Sequence, residues 1–324
     1  MSGGIIQMVR KEELTYKSRD RQTMLHAIRW IPEGEPVAIL QIIHGMQEYI
    51  DRYDEFANFL AEKGILVIGN DHLGHGKSVG DKGTYGYFCK NDPATVLVRD
   101  AHRLKKMTQE DYPGIPCFIL GHSFGSFVAR EYITRYGTGI KGAIIQGTAY
   151  MPTGTISSLR GVVNFLQFVM GEKYRSNMVN NMAFKGYLSR IPDHKTNFDW
   201  LSHNEESVNK YIADPACNFV FTLNGFKTMA DILKRIQDMD EMENIPKDLP
   251  VLITAGKEDP VGGYGEAPKR LFAIYTNELK MTKVELKLYD EMRHELQQEI
   301  GREKVYADQY EWIKKVLDSG STNN

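Results

Sequence analysis

Residues 117–126 read CFILGHSFGS. An apolar run ends in a serine with one glycine two positions before it and another two positions after. Gly121, Ser123 and Gly125 form a G-x-S-x-G pattern where a buried strand gives way to a helix, FGSFVAREYITRYG, that closes at Gly137. This is the setting of a nucleophile elbow, a tight, strained turn that lifts the serine hydroxyl above a sheet. Strand and helix then lie so close that a side chain at either flanking position collides, and glycine removes the collision. The turn also leaves the amide of Phe124 at a helix N-terminus, aimed at any oxyanion that develops beside the serine.

The chain on both sides alternates strand and helix. LTYKSRDRQTMLHAIRWIP holds two β-rich pieces about a polar turn, the pattern of an opening hairpin. PVAILQIIHG and ILVIGND are continuous apolar runs, as expected of strands buried on both faces. Between them, RYDEFANFLAEKG has helical spacing and stops at Gly64. NDPATVLVRDAHRLKKMTQED begins a helix with Asp92 as cap and Pro93 in the first turn. GAIIQGTA is the next strand. The alternation ceases near Tyr150 and resumes at VLITAGKEDPVG. A helix around APKRLFAIYTNEL, a strand KVELKLYD and a closing helix REKVYADQYEWIKKVL follow. The pattern predicts an α/β fold with a mostly parallel central sheet flanked by helices. Residues 1–150 and 247–324 form its core. A helical cap of residues 151–246 is inserted between two strands, over the carboxyl edge where such sheets bind ligands.

A serine hydroxyl needs a base to act as a nucleophile. In an elbow fold the partners follow in the order serine, acid, histidine. Of the nine histidines, His26, His44, His72, His75, His102, His122, His194 and His203 precede the last third of the chain. His294 alone follows the final strand and is the expected base. His122 adjoins the serine, but neighbouring strand side chains face opposite sides, which makes it a poor base. The acid is expected at the end of the preceding strand, where Asp259, just before Pro260, is preferred and Glu258 is the alternative. A second oxyanion donor is expected from the loop after AILQIIHG, at the backbone amide of Met46, in a turn shaped by His44 and Gly45.

Composition narrows the remaining classes. The 324 residues are 42% hydrophobic and 25% charged, in the range of a soluble globular protein. A net charge of −2 gives no electrostatic reason to expect nucleic acid or an anionic membrane as partner. Three cysteines, Cys89, Cys117 and Cys217, are far apart and odd in number, which argues against a disulfide scaffold and for a reducing compartment. MSGGIIQMVRKEEL lacks the apolar stretch of a secretory signal, and no run approaches a membrane span of roughly 20 apolar residues. A cytoplasmic protein without stable membrane insertion is expected. There is no internal repeat and no low-complexity segment apart from the polar tail DSGSTNN.

HGMQEYIDRYDEFANFLAEKG, DHLGHGKSVG, GHSFGS, AGKEDPVG and YDEMRHE together resemble the monoacylglycerol lipase and lysophospholipase-like branch of the α/β-hydrolases, also labelled serine aminopeptidase-like. The resemblance covers the whole chain except the tail. It is strong in the core and looser in the cap, where NFDWLSHNEESVNKYIADPACNF resembles bacterial members. It implies Ser123 as nucleophile, Asp259 as acid, His294 as base and the amides of Met46 and Phe124 as the oxyanion hole. It implies no cofactor and a small acyl ester as substrate. The chain departs from better-known lipases after the first His-Gly, where Met46 and Gln47 replace small residues ahead of Glu48. His72 and His75, in the DHLGHGKS signature, read as turn residues and not as metal ligands.

Half of the fourteen methionines lie between Met151 and Met242. Flexible thioethers suit an adaptable acyl pocket or simply fill gaps. Phe165, Met170, Met178 and Met182 are the apolar residues expected at a substrate site. A serine ester hydrolase is therefore the leading expectation. The alternatives are a peptidase with the same triad, whose amine-binding carboxylate could be Asp193, Asp199, Glu205 or Glu206, and a non-catalytic ligand-binding relative.

Overall fold

A computed structural model of the protein describes residues 9–81 and 83–321. The first eight residues and the last three, used above to read the two termini, lie outside the described residues.

The chain opens with an antiparallel hairpin of β1 (Arg10–Lys17) and β2 (Met24–Ile31). β2 pairs antiparallel with β4 (Ile65–Asn70), and from there every pairing is parallel. The remaining strands are β3 (Ala38–Ile43), β5 (Cys117–His122), β6 (Gly142–Gln146), β7 (Val251–Gly256) and β8 (Val284–Tyr289). The eight strands lie in the order β1-β2-β4-β3-β5-β6-β7-β8. The continuous apolar runs are the central strands because both sheet faces are covered. On β3, Ala38, Leu40 and Ile42 enter one core and Ile39 and Ile43 the other. The first core is closed by α1 (Asp54–Ala61) and α10 (Arg302–Ser321), the second by α2 (Pro93–Asp111) and α3 (Phe124–Tyr136). Each fully buried Leu or Ile contributes roughly 1.5–3 kcal/mol, so the central strands anchor the sheet.

Between β6 and β7 the chain makes α4 (Thr153–Met170), α5 (Asn177–Ala183), α6 (Glu205–Ala213), α7 (Leu223–Arg235) and α8 (Met239–Met242). Residues 184–204 carry turns and bends, so this segment is less helical than its composition suggests. After β7 comes α9 (Glu266–Ala273), which runs into a π-turn at Ile274–Glu278. No described helix is long and apolar enough to cross a membrane.

The helix signals act largely as read. Asp92 accepts from the Thr95 amide at 3.4 Å, with Pro93 opening α2. Gly64 has φ +83°, the left-handed conformation expected after α1. Gly137 differs: its φ is −58°, and it is held by space, because a Cβ there would lie 2.7 Å from Pro246.

Two glycine replacements separate crowding from chain entropy. Gly125 faces the carbonyls of Ile43 and His44 with no room for a Cβ, whereas Gly161 lies on the exposed face of α4 with open space around it. Gly125→Ala should lower the thermal midpoint by about 3–10 °C. Gly161→Ala should raise it by about 1–3 °C. Differential scanning calorimetry of both variants measures the two shifts.

Candidate active site

Ser123 occupies the junction of β5 and α3 with φ 54° and ψ −122°, a backbone conformation that a side chain rarely adopts. Its amide donates to the carbonyl of Gln146 at 2.9 Å, and its carbonyl accepts from the Ser126 amide at 2.9 Å. The flanking glycines have different neighbours. A Cβ on Gly121 would overlap the Gly125 carbonyl and lie 2.6 Å from the Ala129 Cβ, within the strand-to-helix turn. A Cβ on Gly125 would overlap the end of β3 instead. One glycine therefore closes the turn and the other lets the helix approach the neighbouring strand.

His294 lies five residues beyond β8. Its Nε2 is 2.8 Å from Ser123 Oγ and its Nδ1 is 3.0 Å from Asp259 Oδ2. Asp259 is fully buried, and its Oδ1 accepts from the Val261 amide at 2.8 Å. Glu258 points elsewhere, with its carboxylate 3.1 Å from His203 Nε2. The histidine loop is seated by three contacts. Gly256, at the end of β7, has no Cβ to block the Met292 and Arg293 carbonyls. Buried Glu299 accepts from the Arg293 amide at 2.9 Å and from His203 Nδ1, also at 2.9 Å. Gly147, with φ +58°, lies flat against the imidazole: a Cβ there would come 3.1 Å from His294 Cε1.

The loop after β3 faces the serine from the other side. A Cβ on Gly45 would lie 3.0 Å from the Ser123 Cβ. Among the described residues, the Met46 and Phe124 amides take no part in the backbone hydrogen bonds of the surrounding loops, and both residues border the same cavity as Ser123. His44, His72 and His75 cluster behind this loop. His44 Nε2 accepts from the His72 amide at 3.0 Å, and His72 Nε2 donates to the His44 carbonyl at 3.0 Å, which fastens the loop after β3 to the loop after β4. Burial pulls His72 down to about 4 and His75 to about 3, so they sit as neutral rings. No group of three or more potential metal ligands occurs among the described residues.

Sequence reasoning missed a buried charged group beneath this loop. Glu48 accepts from His122 Nδ1 at 3.0 Å, from Tyr53 Oη at 3.0 Å and from the Gly45 amide. Arg52 bridges Glu48 and Glu295, reaching the Glu295 oxygens at 2.6 and 2.7 Å. His122 Nε2 faces the His294 carbonyl at 3.3 Å. Burial alone would raise the Glu48 carboxyl. The hydrogen bond and charge of His122, then Arg52 and the Gly45 amide, outweigh it and hold the group at about 2. Burial likewise pulls His122 down, and Glu48 more than reverses it, so His122 binds its proton more tightly than usual. His122 is thus committed to Glu48, which explains in a second way why it is no base for Ser123.

Ser123 and His294 open into a cavity of about 410 Å3 that is largely apolar. Of the four apolar residues expected at a substrate site, Met182 lines it; Phe165, Met170 and Met178 do not, and all three are exposed. On α4 the buried stripe is Ile156, Leu159 and Val163, and Phe165 lies half a turn away on the opposite face. Phe184, Tyr187 and Trp200, none of them expected at the site from the sequence, do border the cavity. Asp193, Asp199 and Glu205 line a separate charged recess, and Glu206 pairs with Lys210 at the surface.

A model of the family described as "Serine aminopeptidase, S33" matches residues 34–301. The chain belongs to this family. Its fold is that of the α/β-hydrolases. It is similar to a carboxyl esterase from Bacillus coagulans, solved in complex with glycerol, with a TM-score of 0.87 and 28% identity over 96% of this chain and 100% of that one. A soluble variant of monoglyceride lipase from Saccharomyces cerevisiae shares the fold with a TM-score of 0.76 at 18% identity, over 97% of each chain. By sequence, the chain is 30% identical to Mus musculus monoglyceride lipase over 57% of its own length, and spans about half, 54%, of that relative. It is 25% identical to a monoacylglycerol lipase of Mycolicibacterium smegmatis over 89% of this chain and 92% of the relative.

A carboxyl depressed on folding stabilises the protein above its unfolded pKa and loses that contribution as pH falls through the folded value; a raised histidine contributes below its unfolded pKa and loses it as pH rises. Glu48 falls from 4.5 to about 2, so its share is present above pH 4.5 and lost toward pH 2. Between pH 5 and pH 3 this group alone should withdraw about 2 kcal/mol. Glu48→Gln should flatten the pH dependence over that interval. Urea unfolding of both proteins at pH 5 and pH 3 measures the difference.

Proposed function

We propose that the protein is a serine hydrolase of carboxylic esters acting through an acyl-enzyme. The observation that carries this reading is the Ser123–His294–Asp259 chain of hydrogen bonds, at 2.8 and 3.0 Å, on the floor of an apolar cavity. Ser123 Oγ attacks the ester carbonyl while His294 Nε2 takes its proton. Asp259 holds Nδ1–H and stabilises the imidazolium that forms. The carbonyl oxygen becomes an oxyanion facing the amides of Met46 and Phe124, which need no reorganisation to receive it. His294 then protonates the leaving alcohol oxygen as the C–O bond breaks. Water, deprotonated by the same nitrogen, attacks the acyl-enzyme, and the imidazolium returns the proton to Ser123 Oγ as its bond to the acyl carbon breaks and the carboxylic acid leaves.

Residues 151–246 act in this reading as a cap that shapes the substrate site while the chemistry stays in the core. An acyl ester of a small alcohol is the substrate class, in keeping with the lipases and esterases that the chain resembles. The four carboxylates considered for an amine-binding role lie away from the cavity, and those on its own wall are already paired, Glu48 and Glu295 with Arg52 and Glu266 with Lys269; both points favour the ester over the aminopeptidase reading.

Ser123→Ala should reduce ester hydrolysis by about a millionfold with the fold intact. Asp259→Asn should reduce kcat by roughly 10³–10⁴-fold, and Glu258→Gln by far less. Steady-state kinetics with a soluble monoacyl ester, with circular dichroism of each variant, checks these values. Near wild-type activity in Ser123→Ala would sink the reading.

The cap contribution is tested by chain length. Met182→Trp should lower the ratio of kcat/KM for a long over a short acyl ester by tens of fold, since each buried methylene is worth about 0.8 kcal/mol. Phe165→Trp, outside the cavity, should leave the ratio unchanged.

A further inference from the structure

A second recess, larger than the catalytic cavity, lies between the β1–β2 turn, the loop after β4 and the turn after α4. It measures about 680 Å3. The two cavities share no lining residue. A pair of stacked rings 5.6 Å apart divides them, Phe88 on the side of the recess and Phe124 on the side of Ser123.

Four cations line the recess: Arg19 and Arg21 from the β1–β2 turn, Lys90 from the loop before α2 and Lys173 from the turn after α4. Elsewhere on the surface such groups pair with carboxylates, as Lys77 does with Glu13 and Lys247 with Glu243. None of these four forms an ion pair among the described residues, and Lys173 stands instead over the Tyr87 ring at 5.0 Å. The carboxylates nearby are engaged with other groups. Asp20, on the wall itself, accepts from the Gln22 and Thr23 amides at 2.8 and 2.9 Å and from Thr23 Oγ1 at 2.6 Å. Buried Asp100 accepts from Ser18 Oγ at 2.7 Å and from the Arg19 amide at 2.6 Å. Glu172 accepts from Tyr87 Oη at 2.9 Å, and Asp92 pairs with Arg235 at 2.8 Å. Asp81 is exposed and does not line the recess.

Four unpaired positive charges thus converge on one concavity, in a chain whose net charge is −2. Walls of low dielectric focus that field into the recess, where an anion is the group it attracts. A single carboxylate answers one of the four. A phosphate monoester brings nearly two negative charges and three acceptor oxygens, and guanidinium groups bind phosphate in a bidentate fork. Gln22, Thr84 and Asn91 add neutral donors, and Leu73, Phe88 and Val96 give an apolar floor for the organic part of the molecule. The volume is in the range that holds a small ligand. We infer that this recess binds the phosphate group of a phosphate monoester, apart from the catalytic cavity. The group can belong to a soluble metabolite or to a lipid headgroup.

Amide NMR of the full chain, titrated with inorganic phosphate and with chloride at equal ionic strength, tests the site. Phosphate should move the resonances of residues 19–23 and 84–91 and leave those of Met182 and Lys185, at the catalytic cavity, in place. Arg19→Ser combined with Arg21→Asn should weaken phosphate binding by about four- to twentyfold, since each exposed pair is worth roughly two- to fivefold. Asparagine is used at position 21 because the backbone there has φ 67°. Lys90→Ser and Lys173→Ser should each weaken it by roughly two- to fivefold. Lys185→Ser, which removes a cation at the catalytic cavity, should change nothing. All five side chains are exposed, so the fold is kept. Cosedimentation with phosphatidylcholine vesicles, with and without phosphatidic acid, identifies the source. Binding that needs phosphatidic acid and is lost in the double arginine variant assigns a lipid headgroup. Phosphate binding without vesicle binding assigns a soluble ester. Equal shifts with chloride, or an affinity for phosphate that depends on Lys185 and not on the two arginines, overturns the proposal.

Discussion

The approach of α3 to the end of β3 governs this structure. At Gly125 the helix backbone meets the Ile43 and His44 carbonyls so closely that a single methyl group has no place. That contact sets the height of Ser123 above the sheet and holds it in its strained conformation. It also places the following loop, through Gly45, against the serine side chain. The Met46 and Phe124 amides border one cavity with Ser123 because two strand ends and one helix start are pressed together. The strain at Ser123 is borne by the buried sheet around it, whose strands pair in register from Ile43↔Gly121 to His122↔Gln146.

Asp259 and His294 come from the other side of the sheet order and are brought in by loops. β7 and β8 supply the stems, and the loops beyond them are locked by carbonyl contacts at Gly256 and by the buried Glu299 carboxylate. Asp259 is sealed from solvent while Ser123 keeps partial exposure. A buried acid orients an imidazole firmly, and a partly open hydroxyl admits a substrate. The segment between β6 and β7 touches this machinery through Asp199, Leu201 and His203, so it is tied to the histidine loop and not merely laid over it.

Much of this was legible in the sequence, for identifiable reasons. The central strands are apolar on both faces and carry no competing helical period, so they read clearly. Ser123 directly follows β5, and Asp259 and His294 lie in the loops after β7 and β8, in a fixed chain order, so local pattern is enough to nominate them. The charged group under the loop after β3 was not legible. Glu48, Arg52, His122 and Glu295 come from three distant stretches, and only the fold links them, His122 to Glu48 at 3.0 Å, Glu48 to Arg52 at 3.2 Å and Arg52 to Glu295 at 2.6 Å. The cap was misread in part for a different reason. Methionine and phenylalanine count as apolar wherever they occur, but α4 turns Ile156, Leu159 and Val163 inward and leaves Phe165 outside. Trp200 belongs to a stretch without regular helix, where no periodicity points to a face.

The Glu48–Arg52–His122–Glu295 group also constrains how this sequence can drift over time. Glu48, His122 and Glu295 are buried and Arg52 is half-buried between the two glutamates, so losing one member unbalances charge in a largely desolvated site, a change that costs several kcal/mol. Single replacements at these positions are therefore disfavoured, while simultaneous exchange for an apolar set of matching volume is tolerated by the core. Among descendants of a common ancestor these four positions are expected to be inherited as a block: all retained in one lineage, all replaced in another, with mixed combinations rare. Neighbouring surface charges, such as the Lys210–Glu206 pair, carry no such obligation and are free to change one at a time.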